Sequence, residues 1–150
     1  MEAALKQLRA PAEATLQRAS AFGAAFGIGI ATYIALSAAA GDAPACIDGS
    51  HGCLTVAESS YSHLLGINVA VFGIAGYAVL LVVAMMRGDA ARLTGFALGL
   101  IGFGFSVYLT YLELFAIDAI CQWCVASAIV MTVVFAINTT RMMRYVGTET

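Results

Sequence analysis

Charge is what this chain has least of. Asp, Glu, Lys and Arg together make up 11% of its 150 residues, where a soluble domain carries about a quarter. Hydrophobic residues reach 61%, more apolar side chain than one soluble core of this length hides. The seven basic residues form no patch that would draw nucleic acid. Repeats and low-complexity segments are absent too, which leaves a solenoid or a disordered tail without support. There are four cysteines and no more: Cys46, Cys53, Cys121 and Cys124.

Four stretches without Lys or Arg are long enough to span a bilayer, at roughly 20–40, 65–86, 93–115 and 121–140. Residues 38–40, all alanine, offer a cleavage site after the first, but its apolar run outlasts the 7–15 residues typical of a signal core. The expected fold is an all-α membrane protein, a bundle of four transmembrane helices in a single domain over 1–150. Residues 1–19 read as a helix-prone lead broken at Pro11. The Gly23/Gly27 and Gly95/Gly99 pairs have the small-residue spacing that lets membrane helices approach closely.

The basic residues fix an expected orientation. Lys6, Arg9 and Arg18 precede the first span, Arg87 and Arg92 lie around the loop between the second and third, and Arg141 and Arg144 follow the fourth. Loops 41–64 and 116–120 contain none. By the positive-inside rule both termini are cytoplasmic and both cysteine pairs open on the outer face, where disulfides persist.

Cys121 and Cys124 form a C-x-x-C at the expected start of the fourth span. A helix start offers unpaired N–H groups and the positive dipole end, which favour a thiolate. Cys124, one turn deeper, would face the hydrocarbon edge and a lipid-soluble oxidant, with Cys121 left on the water side. Cys46 and Cys53 bracket "IDGSHG", a flexible polar loop suited to a disulfide that opens and closes. The two pairs then form a relay from water to membrane. Structural disulfides or a four-cysteine metal site in a non-enzymatic scaffold is the competing reading; no metal is expected, and haem attachment fails because Val125 follows Cys124.

The loop pair, the hydroxyl residue in "VAESSYSHLLGI", and "YLTYLEL" leading into "AICQWC" together resemble the vitamin K epoxide reductase family, in its single-domain prokaryotic form. The resemblance implies a four-helix bundle around a quinone pocket, with the first outer loop forming a short helical cap. It implies a membrane thiol oxidoreductase in the cell (inner) membrane that reoxidises a thioredoxin-fold, DsbA-like protein and reduces a menaquinone, ubiquinone or related quinone. Cys124 then stands next to the quinone, Cys121 exchanges with the loop pair, and Cys46 and Cys53 shuttle electrons from the partner. Ser59 matches the family's hydroxyl near the quinone ring, with Ser60 as competitor. Ala128 stands where vertebrate members have tyrosine, which favours plain quinone reduction over epoxide reduction. A fused thioredoxin domain, common in prokaryotic relatives, does not follow residue 150, so a separate partner protein is expected. The DsbB family, also four helices with two cysteine pairs, carries its C-x-x-C in the first outer loop; here it comes second.

Other residues are weaker candidates. Trp123 could stack on a quinone ring, and Tyr111 lies near the outer end of the third span. Glu113, the only acid within a proposed span, could move the proton that quinone reduction requires, although an interfacial acid is more often simply solvated. His51 sits where it could favour thiolates in its flanking cysteines, and His63 has no stronger claim.

Overall fold

A computed structural model describes residues 1–47, 49 and 51–149, with Glu149 by its backbone alone. The chain is mostly helical: α1 (Glu2–Ala39), α2 (Gly52–Glu58), α3 (Val69–Met85), α4 (Asp89–Tyr111) and α5 (Gln122–Glu149). Three of these, α1, α4 with its extension to Ile117, and α5 up to Thr148, are long and apolar enough to cross a membrane. The protein is a membrane protein. The stretch expected as the second span is shorter than the sequence suggests, because α3 begins at Val69 and has 17 residues.

The four residues ahead of it are drawn into a small hairpin. His63–Leu64 and Ile67–Asn68 pair antiparallel as β1 and β2, around Leu65 and Gly66, both at positive φ. That is the backbone a two-residue hairpin demands. Asn68 then caps α3, its Oδ1 accepting the Ala70 N–H at 2.9 Å.

Pro11 does not break the first helix. α1 runs unbroken through it for 38 residues. Proline removes one N–H from the ladder, and here residues 1–11 are all exposed, so water can satisfy the orphaned carbonyl. The Pro11 carbonyl itself gains a bond from Thr15 Oγ1, at 2.9 Å.

α1 packs against α3 and α5, and α4 against α5, while α3 and α4 meet less closely. The shared core is Ala24, Tyr77, Leu80, Met131 and Val134. Both glycine pairs serve packing. A Cβ on Gly27 would collide with the Tyr77 ring, and Gly23 faces Val134. Gly95 lies against Asn138 and Gly99 against Phe135. Brought in so close, Tyr77 is 1% exposed, and its hydroxyl donates to the Ser127 carbonyl at 2.7 Å.

At the end of the bundle away from the cysteines, polar groups tie three helices together. Glu13 of α1 accepts from Arg141 of α5 at 2.9 Å and from Arg92 of α4 at 3.4 Å. Arg92 also reaches Asp89 at 2.8 Å and lies over the Tyr145 ring. One layer deeper, Ser20 donates to Asn138 Oδ1 at 3.4 Å, both buried.

Candidate redox site

The site is assembled at the opposite end, from a cap and a turn. The cap is α2, a 3₁₀ turn at Ser60–Ser62 and the hairpin, together lying over the helix ends. Cys46 and Cys53 are joined as a disulfide with Cα atoms 5.9 Å apart. Cys46 is half-buried, whereas Cys53 in the first turn of α2 is 2% exposed. The cap is seated tightly there: a Cβ on Gly52 would run into the carbonyl oxygen of Ile120, the residue before Cys121. Glycine lets the two backbones touch, and this brings Cys53 beside the C-x-x-C.

The turn begins where α4 ends. Leu112–Ile117 is a π-helical turn, stopped by Asp118 in the left-handed region. A π turn closes its bonds one residue later than an α turn, and aspartate tolerates the left-handed conformation better than most residues. The chain folds back on itself, with the Ala119 N–H donating to the Glu113 carbonyl at 3.1 Å. The Glu113 side chain follows the same direction: its Oε2 accepts the Cys121 N–H, also at 3.1 Å. Cys121 then leads into α5, its carbonyl accepting the Val125 N–H at 3.0 Å.

Cys121 and Cys124 are free thiols, hydrogen-bonded to each other, and the Cys124 thiol also reaches the Glu113 carboxyl. Cys121 is 2% exposed. It is buried on the capped cavity that Cys53 also lines. Glu113 departs from expectation. It is 5% exposed and not solvated.

Two adjoining cavities meet at this point. The smaller, about 80 Å³, lies beneath the cap and is lined by Cys53, Ser59, Asn68, Glu113, Cys121 and Cys124 among mostly apolar neighbours. The larger, about 390 Å³, opens in the wedge between α3 and α4, with Phe72, Gly76, Ile101 and Phe105 on its walls. Glu113 and Cys124 line both. Ala128 faces the larger one.

The remaining candidates divide. Ser59 lines the capped cavity, its hydroxyl donating to the Val56 carbonyl at 2.7 Å, while Ser60 is exposed at the start of the 3₁₀ turn. Trp123 lines neither cavity. Its ring packs on Tyr33, centroids 4.8 Å apart, and its Nε1 donates to the Ala45 carbonyl at 2.7 Å. Gln122 Oε1 accepts the Ile47 N–H at 2.9 Å and Tyr33 Oη the Ala45 N–H at 3.1 Å. The two residues inside the C-x-x-C thus hold the backbone on both sides of Cys46. Tyr111 points away from the cysteines, 57% exposed and packed on Phe115. His51 precedes α2 and His63 bonds Ser62 Oγ, both exposed. Among the described residues no group of three or more His, Cys, Asp or Glu could hold a metal ion.

The sequence reading missed Tyr33, Gln122 and Asn68, and undervalued Glu113. Only Glu113 left a signal, as a lone acid inside an apolar run.

A membrane helical bundle with a disulfide in its cap and a C-x-x-C buried directly beneath defines a membrane thiol–disulfide oxidoreductase. The particular lineage follows from the sequence profile of the vitamin K epoxide reductase family, which matches residues 18–139; the chain belongs to that family. No curated protein matches the chain as a relative.

Proposed function

We propose that the chain is a quinone-linked thiol oxidase with its active site on the extracytoplasmic face, reoxidising a separate thioredoxin-fold, DsbA-like protein and so supporting disulfide formation. The observation that carries this reading is the burial of Cys53 and Cys121 on one capped cavity, with Gly52 pressed onto Ile120. Two cysteine pairs brought to one cavity are suited to pass electrons between them.

Accessibility sets the order. Cys46, the more exposed loop sulfur, is attacked by the partner's thiolate; the Cys46–Cys53 bond breaks and Cys53 leaves as thiolate. The partner's second thiol displaces Cys46 and carries the new disulfide away. Cys53 then attacks Cys121 of an oxidised Cys121–Cys124 pair, releasing Cys124, and Cys46 closes back onto Cys53 to release Cys121. A closed loop disulfide beside two free thiols, as in the structure, is the state this sequence of exchanges ends in before the quinone is reduced.

The acceptor fits the space. The wedge between α3 and α4 is apolar and runs to Cys124, so an isoprenoid tail can lie in it while a ring reaches the polar mouth at Cys124 and Glu113, with Ser59 in the adjoining cavity. A bound menaquinone or ubiquinone supplies the two-electron acceptor; the chain holds Cys124 in place and keeps water out.

In this reading α3 is a fourth span. Its 17 residues rise about 26 Å, close to the thickness of a hydrocarbon core. The distribution of Lys and Arg supports cytoplasmic termini, and this orientation agrees with an inner-membrane location.

The test is turnover of purified protein in detergent, with a reduced thioredoxin-fold substrate and ubiquinone or menaquinone. Substrate oxidation coupled to loss of quinone absorbance is expected, falling to background in Cys124→Ser. No coupled oxidation with either quinone would overturn the reading.

A further inference from the structure

Among the described residues Glu113 is the one buried acid at the cysteine end of the bundle, and its surroundings are unusual. Neither cavity it lines contains Lys, Arg or His, and it is absent from the ion pairs among the described residues, which all lie at the other end. A buried carboxyl with no cation is costly unless hydrogen bonds compensate. Those bonds come from the reacting pair itself: the Cys121 N–H at 3.1 Å and the Cys124 thiol. The titratable groups around it are therefore Cys121 and Cys124 of the C-x-x-C, with Tyr61 and the disulfide-held Cys53 on the capped cavity and Tyr77 of α3 on the larger one. Asp118, at the end of its own turn, is exposed.

Thiol oxidation by a quinone moves protons as well as electrons. Two thiols lose two electrons and two protons, a disulfide forms, and both protons end on the quinol. In a water-poor site those protons need a carrier, and a side chain that touches the thiol and lines the acceptor's cavity is placed to be one. Resting on the oxidase reading above, we propose that Glu113 is a catalytic residue, the proton carrier between the C-x-x-C thiols and the quinone. The carboxylate takes the proton from Cys124 as the sulfur becomes a thiolate, and delivers it into the α3–α4 cavity where the acceptor's oxygen lies. Emptied, it takes the second proton, from Cys121, as the disulfide closes. The same side chain fixes Cys121 through its N–H, so proton carrier and cysteine stay in register.

Glu113→Gln keeps the size of the side chain and an oxygen for the Cys121 N–H but cannot carry a proton; Glu113→Asp keeps the acid and shortens its reach. Fully reduced protein is mixed with a short-chain ubiquinone, and Cys121–Cys124 disulfide formation is followed across pH by quench alkylation and mass spectrometry. The glutamine variant should oxidise on the order of a hundredfold more slowly, with a flattened pH profile, and the aspartate variant should recover part of the rate. In protein without quinone, the pH profile of Cys124 alkylation should change in Glu113→Gln, while exchange between the partner and Cys46–Cys53 stays at the wild-type rate. Wild-type rates and profiles in Glu113→Gln would overturn the proposal. Should that variant not fold, Glu113→Asp decides: a wild-type rate, pH profile and alkylation profile in it would overturn the role. Should wild-type protein not react with any quinone, the oxidase reading fails, and the alkylation profile alone decides whether Glu113 exchanges a proton with Cys124.

Discussion

The two ends of the bundle are built on opposite plans. At one end, Glu13, Arg92 and Arg141 bind three helices through charge, with Ser20 and Asn138 beneath them. The partners are far apart in sequence, and each belongs to a long helix. At the other end the cap consists of a seven-residue helix, a single 3₁₀ turn and a two-by-two-residue hairpin. It is held by a few hydrogen bonds and by backbone contact at Gly52. The first end has no cysteine, and the second has all four. Charge pairs join long helices at the first end, while at the second short elements and one close backbone contact bring the cysteines to one place.

That contrast can be broken hardest at Gly52. A methyl group there meets the Ile120 carbonyl, so Gly52→Ala must lift the cap and part Cys53 from Cys121. Since displacement of reacting groups by an ångström can cost on the order of a hundredfold, transfer between the pairs should slow by that much. Reduction of Cys46–Cys53 by the partner should persist. Stopped-flow trapping of each pair's redox state reads the two steps separately, and equal slowing of both would contradict the role given to Gly52.

The opposite end should respond in stability alone. Arg141→Met removes a buried charge from Glu13, which keeps Arg92 as a neighbour and is partly exposed. The expected loss is about 1–2 kcal/mol, seen as a lower melting temperature in detergent with turnover unchanged. A fall in turnover at temperatures where the variant stays folded would show that the two ends are coupled.

The smallest effect is expected at Trp123. Phenylalanine keeps a ring against Tyr33 but loses the N–H bond to Ala45, worth about 1 kcal/mol. Attack on Cys46 should change by a few-fold, measured as the rate of mixed-disulfide formation with the partner. The rate at which quinone oxidises Cys121–Cys124 should not move.

Much of this was legible in the sequence because it is written locally. Long apolar runs pointed to four spans, of which three are helices long and apolar enough to cross a membrane, the glycine spacing pointed to the close contacts at Gly27 and Gly99, and the cysteine spacing pointed to the candidate site. The parts that escaped depend on a change of backbone geometry or on contacts distant in sequence. Glu113 turns inward because α4 widens into a π turn and Asp118 reverses the chain; a 3.6-residue period does not foresee either. The same change of turn follows directly on Tyr111, which faces outward on Phe115 although it lies two residues from Glu113. Residues 65–68 look like the start of a span by composition, yet a two-residue turn at Leu65–Gly66 draws them into the cap. Trp123 has the composition of a ring-stacking residue, but its N–H found a backbone carbonyl 78 residues away.

The long first helix bears on how the protein is made. Glu13 is synthesised 128 positions before Arg141. Until α5 emerges, the first helix has neither that charge nor the Val134 surface against which Gly23 rests. The clasp at this end therefore forms only after the redox C-x-x-C has been translated, so a truncated product lacks a bolt as well as a site. Closure of the bundle therefore waits on α5, the same helix that carries Cys124.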